Sequence, residues 1–220
     1  MALAYTRRFL RLLLGLLLYG LGVYLIIQAN IGLAPWEAFS MGLTLLTGLS
    51  FGNIVVLSGL VIVGIDLLLK EKIGFGTLLN AILIGKFIDL FDWINLVPAM
   101  DSYLTGIPLL LISQVVIALA SFLYMGAGMG CGPRDALMVA LGKRMPKAPI
   151  GLVRGGLEGT VLLIGWLLGA KVGLGTVIAV FGIGFTIQYT FQFLRFDVKA
   201  VRHENLLDTI KIWKPETVRG

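Results

Sequence analysis

Long apolar runs alternate along the chain with short polar interruptions. Runs at roughly 9–28, 52–69, 75–94, 106–126, 150–170 and 174–194 are each near the ~20 residues that carry a helix across hydrocarbon. They are apolar all round and lack the alternation of a barrel strand, so helices are predicted. Two shorter helices, about 36–47 and 134–145, follow the first and fourth runs. They are too brief to span and are expected to be re-entrant or to lie along the interface. The expected fold is an all-α membrane protein with six transmembrane helices. The opening "TRRFLRLLLGLLLYGLGVYLIIQAN" has the basic start of a secretory signal. Its apolar core is too long and no A-x-A-like cleavage site follows, so it reads as a permanent first span.

Composition sharpens this picture. Hydrophobic residues make up 58% of the chain and charged ones 14%, with a mean hydropathy of +0.95, whereas soluble domains carry about 25% charged residues. One membrane domain over 1–195 fills the chain and leaves 196–220 as a basic cytoplasmic tail. The net charge of +6 does not point to nucleic acid, because the basic residues gather at the chain ends and between apolar runs. There they orient the protein and meet lipid headgroups. With six spans, Arg7, Arg8, Arg11, Lys70, Lys72, Lys143, Arg144, Lys147, Arg195, Lys199 and Arg202 all fall on one side. The other side receives Asp92, Asp101 and Lys171, so both termini are expected in the cytoplasm. Trp36, Trp93, Tyr103 and Trp166 are expected near the outer headgroup layer.

An internal similarity organises the runs. "ANIGLAPWEA" at 29–38 aligns with "AGMGCGPRDA" at 127–136, a spacing of 98, and "KIGFGT" at 72–77 aligns with "KVGLGT" at 171–176, a spacing of 99. Each half, about 8–95 and 106–194, holds three spans, an odd number, so the second must enter the membrane from the opposite side. This predicts an inverted-topology repeat. Pro35 and Pro133 fit the first turns of the short helices, after glycines that end the preceding ones. An alternative joins each short helix to its preceding loop as a broken span, giving eight spans and parallel repeats. That arrangement moves Lys70 and Lys72 outside and ranks second.

Ionisable groups inside spans cost about 2.5–3.5 kcal/mol on insertion scales, so each needs a partner or a function. Arg154 and Glu158, four apart, are placed to pair. Lys86 and Asp89, three apart, could do the same, and Asp66 reads as interfacial and structural. Glu37 and Asp135 suit helix starts, but Arg134 does not, since a helix dipole disfavours a cation there. It calls for an anion, a carboxylate or a lipid phosphate. Asn80, Gln114 and Gln188 read most simply as interhelical hydrogen-bonding groups. The Gly-x-Gly-Thr pairs lack the third glycine or lysine of a phosphate loop and read as turns with a threonine cap. Gly155 with Gly159, and Gly165 with Gly169, have the spacing for close helix contact. Cys131 and His203 are each the sole residue of their kind. No serine–histidine pair or metal-ligand spacing is present, so neither cofactor nor metal is implied and an enzyme is disfavoured.

"GLAPWEAF", "GFGTLLNAILIGKFIDL", "GPRDALM" and "LVRGGLEGTVLLIGWLLGAKVGLGT" together resemble the YczE branch of the bacterial YitT/YczE-like integral membrane proteins, over residues 8–194. The resemblance implies a bacterial inner-membrane protein of a family suspected of transport. It carries Asn80, Asp89, Arg134, Asp135, Arg154 and Glu158 over as site residues, while Lys86 departs from its pattern. The expectation is a small-solute or ion transporter with its site between the repeats. Arg134 and Arg154 would hold a small anionic solute, and Asp89, Asp135 and Glu158 would balance them or take up a proton. Two other readings stand beside it: a substrate-binding subunit needing an energising partner, and a scaffold whose charge pairs are structural. Either involves a protein partner or a homo-oligomer.

Overall fold

A computed structural model describes residues 2–201 and 203–206. Arg202 and the tail beyond 206 lie outside the described residues. Eight α-helices and one 3-10 turn, with no strand, make up the described residues. The helices are α1 (Ala2–Ala29), α2 (Pro35–Thr47), α3 (Phe51–Leu68), α4 (Phe75–Trp93), α5 (Tyr103–Gly126), α6 (Pro133–Arg144), α7 (Ile150–Leu167) and α8 (Leu174–Phe193). The six long runs and both short helices therefore fold as the pattern predicts. Among the described residues, α1, α3, α5, α7 and α8 are long and apolar enough to cross a membrane. The sixth expected span, α4, has 19 residues but carries Lys86, Asp89 and Asp92, so it does not meet that standard by composition.

The core forms where α1 crosses α5. Leu12, Leu16, Val23 and Ile26 pack with Leu110, Ile117 and Tyr124. Glycines bring the two backbones together: a methyl group on Gly15 would stand 2.7 Å from the Tyr124 amide nitrogen. Around this pair, α4 packs on α1 and α8 on α5, while α2 packs on α7 and α6 on α3.

Contacts recur at the spacing seen in the sequence. Gly32 and Gly130 both hold positive φ, 125° and 126°, a conformation glycine adopts without steric cost. The Gly76 amide donates to the Met129 carbonyl at 2.7 Å, and Gly175 donates to Ile31 at 2.9 Å. Thr77 and Thr176 accept from the Gly74 and Gly173 amides at 3.3 and 3.2 Å, so the Gly-x-Gly-Thr segments are threonine-capped helix starts. Each hinge thus rests on the capped turn of the other half.

One end of the bundle collects the basic segments. Lys143 pairs with Glu71 at 2.7 Å, Arg144 donates to the Leu69 carbonyl at 3.0 Å, and Arg8 pairs with Glu204. At the other end Asn30 donates to the Met100 carbonyl, and Lys171 donates to Asn30, each at 3.0 Å.

Two features depart from expectation. The beginning of the tail is part of the fold: Phe196 packs edge-on against Phe122 and Phe191, and the Glu204 and Leu206 amides bond to Gly128 and Ile73. The glycine spacings also part company. Gly165 abuts Ala38 of α2, but Gly155 and Gly159 of α7 touch nothing within 4 Å.

Candidate functional site

All eight helices line a cavity of about 460 Å³, a size typical of small-molecule sites, roughly 300–1,000 Å³. Its walls use equivalent positions of the two halves. Asn80, Ala81, Ile84 and Ile88 of α4 line it, as do Ala179, Val180, Ile183 and Ile187 of α8, each 99 residues on. The segments Ala34–Glu37 and Gly132–Asp135 bring the first turns of the short helices to the same space.

Those first turns touch. Arg134 Nη1 lies 3.2 Å from Glu37 Oε1, and its guanidinium sits 4.8 Å from the Trp36 ring centroid. The cation that the helix dipole disfavours is therefore offset by a buried carboxylate and an aromatic face. On α7, Arg154 Nε lies 2.8 Å from Glu158 Oε1, as the four-residue spacing predicts. Asp135 differs. The Tyr124 hydroxyl donates to its Oδ2 at 3.0 Å, and no basic side chain among the described residues lies within ion-pair distance of it.

Gly132 packs closely beside this carboxylate. A methyl group there would meet Asp135 Oδ2 at 3.3 Å, Tyr124 Oη at 3.6 Å and Asn80 Nδ2 at 3.7 Å. Tyr19 closes the aromatic side, its ring edge-on to Tyr124 at 6.2 Å.

Of the residues expected at a site, Asn80, Arg134, Asp135, Arg154 and Glu158 line the cavity, and Asp89 does not. Asp89 instead caps α3, accepting from Ser50 Oγ at 2.7 Å and from the Gly52 amide at 2.8 Å. The anticipated Lys86–Asp89 pair does not form, because Lys86 donates to Asn53 Oδ1 at 2.8 Å. Lys86 and Asp89 are thus used at the start of α3, whose unpaired amides favour a carboxylate.

Trp36 lines the cavity, whereas Trp93, Tyr103 and Trp166 are exposed. Asp66 is fully buried, and neither carboxylate oxygen has a partner among the described residues. Gln114 ties α5 to α8 through the Ile178 carbonyl at 3.1 Å. The sequence reading missed Tyr19 and Tyr124, which an apolar helix disguises as core, and Glu37, which a helix start accounts for by itself.

These features define an all-helical, multi-pass membrane protein with a charged cavity among its helices, and the comparisons say which one. The family model described as "Family of unknown function (DUF6198)" matches residues 6–192, and the chain belongs to that family. It is 34% identical over 178 residues to "Uncharacterized membrane protein YczE" of Bacillus subtilis (strain 168), covering 80% of this chain and 81% of the relative. An "Uncharacterized protein" of Haemophilus influenzae (strain ATCC 51907 / DSM 11121 / KW20 / Rd) is likewise 34% identical over 178 residues, covering 81% of this chain and 80% of its own. "Uncharacterized protein YyaS" of Bacillus subtilis (strain 168) is 27% identical over 172 residues, covering 76% and 84%. The resemblance read from the motifs is thereby established. No solved structure matches the chain.

Proposed function

We propose that the protein is a small-solute transporter of the bacterial cytoplasmic membrane, built from two inverted three-helix halves with both termini in the cytoplasm. The observation that carries this reading is the cavity itself, walled by equivalent positions of both halves and entered by both hinges. Secondary transporters with inverted repeats place the site at that junction, near the midplane, where interrupted helices begin. In this arrangement α4 is the sixth span, with Lys86 and Asp89 engaged at α3. The work is binding and passage, without covalent chemistry.

Two measurements test it. Single cysteines replacing Asp101 and Lys147, in a Cys131→Ser background, are expected to react with an impermeant reagent from opposite faces. Reaction from one face overturns the architecture. Proteoliposome flux of a solute first selected by thermal shift is expected to fall at least tenfold in Arg134→Ala and in Glu158→Gln. Unchanged flux in both variants removes the site.

A further inference from the structure

Resting on the reading of the cavity as a solute site, we infer that its ligand is a lipophilic organic cation, with Asp135 as the counter-charge. The sequence favoured an anion held by Arg134 and Arg154. Both guanidiniums already have carboxylates, Glu37 at 3.2 Å and Glu158 at 2.8 Å. An incoming anion would therefore meet two guanidiniums whose charge is already balanced by a carboxylate, and no free cation among the described residues that line the cavity. Three carboxylates face the cavity against two guanidiniums, and the one left over is Asp135.

The groups that reach Asp135 come from every side. Tyr124 of α5 donates its hydroxyl, and Arg134, Arg154 and His203 act on it electrostatically. Arg134 and Arg154 each pair with another carboxylate, Glu37 and Glu158, and neither lies within ion-pair distance of Asp135. What remains at bonding distance is a cavity-lining carboxylate held by one neutral hydroxyl.

The rest of the wall fits the apolar body of such a ligand. Ile84, Ile117, Ile183 and Ile187 line the cavity, with Tyr19 and Tyr124 presenting rings. Aromatic rings attract desolvated cations, and a buried cation needs one carboxylate partner. An ammonium lying in the cavity beside Asp135 would meet its carboxylate and a ring at once.

Calorimetry on the purified full-length protein tests this with two probes of similar size and opposite charge, benzyltrimethylammonium and benzenesulfonate. The cation is expected to bind and the anion not. Asp135→Asn should weaken cation binding at least tenfold. Gly132→Ala, which sets a methyl group 3.3 Å from Asp135 Oδ2 and keeps the carboxylate, should also weaken it, and it serves in place of Asp135→Asn should that variant aggregate. Asp89→Asn, outside the cavity, should bind as the parent does.

No cation binding, cation affinity unchanged in both cavity variants, or preferential binding of benzenesulfonate that is lost in Arg134→Ala would each overturn the inference. The two readings separate cleanly. Asp135-dependent cation binding with no flux in proteoliposomes sinks transport and keeps the cation site. Anion flux lost in Arg134→Ala keeps transport and sinks the cation.

Discussion

Helices α3 and α4 lie backbone against backbone, while α7 and α8, their counterparts 99 residues on, stand apart. A methyl group on Gly52 would come within 2.0 Å of the Gly85 carbonyl oxygen, yet the matched Gly151 and Gly184 have nothing within 4 Å. The glycines are the same, so they permit contact without enforcing it. The difference lies on the cavity side of each helix. Val55 and Gly59 of α3 are apolar, whereas the matched positions of α7 hold Arg154 and Glu158. An ion pair needs polar surroundings, and splaying α7 from α8 keeps it beside open space. One half is a closed wall and the other a flank, from nearly the same template.

The comparison is broken most severely at the glycines. Gly85→Leu has no room and is expected to cost about 3 kcal/mol or more, or to prevent folding, while Gly184→Leu should stay within about 0.5 kcal/mol. Parallel thermal melts in one detergent measure both, and equal losses would mean that α7 and α8 close in solution.

A smaller contrast separates Asp89 from the exposed Gln188, 99 residues on. Asp89→Ala removes the cap of α3 and should cost about 1–2 kcal/mol, with Gln188→Ala nearly silent. The same melts decide it.

The smallest effect tests whether the tail supports the closed pair. Loss of surrounding water lowers the His203 pKa below its ordinary value, outweighing Asp135 and a bond to the Gly130 backbone. The docked tail therefore favours neutral imidazole. This contribution is intact above the ordinary histidine value and fades as pH falls through it. His203 retains exposed surface, so a shift in melting temperature of about 1–2 °C on acidification is expected. That shift should vanish in His203→Gln.

The helices, the hinges and the pairing of Arg154 with Glu158 were legible because each rests on local spacing: apolar run length, glycine before proline, and four residues along a helix. The partner of Arg134 was not, since Glu37 lies 97 residues away in the chain and only the meeting of the first turns of α2 and α6 at the cavity joins them. Asp89 misled because its helix position fits a pairing with Lys86, while the start of α3 offered both side chains better partners. The asymmetry of α3–α4 and α7–α8 was invisible for a similar reason. Matched glycines read alike, and the neighbours that decide their use come from other helices.

Arg8 is bonded to the carbonyls of Ala127 and Gly128 and pairs with Glu204. The first turns of the protein therefore grip the second hinge together with residues near its end. During synthesis, α1 reaches the bilayer while Glu204 is still unmade, so this clasp forms only after both halves have been synthesised. Until then the second hinge lacks the Glu204 bond, which makes the clasp a record that both halves have been inserted.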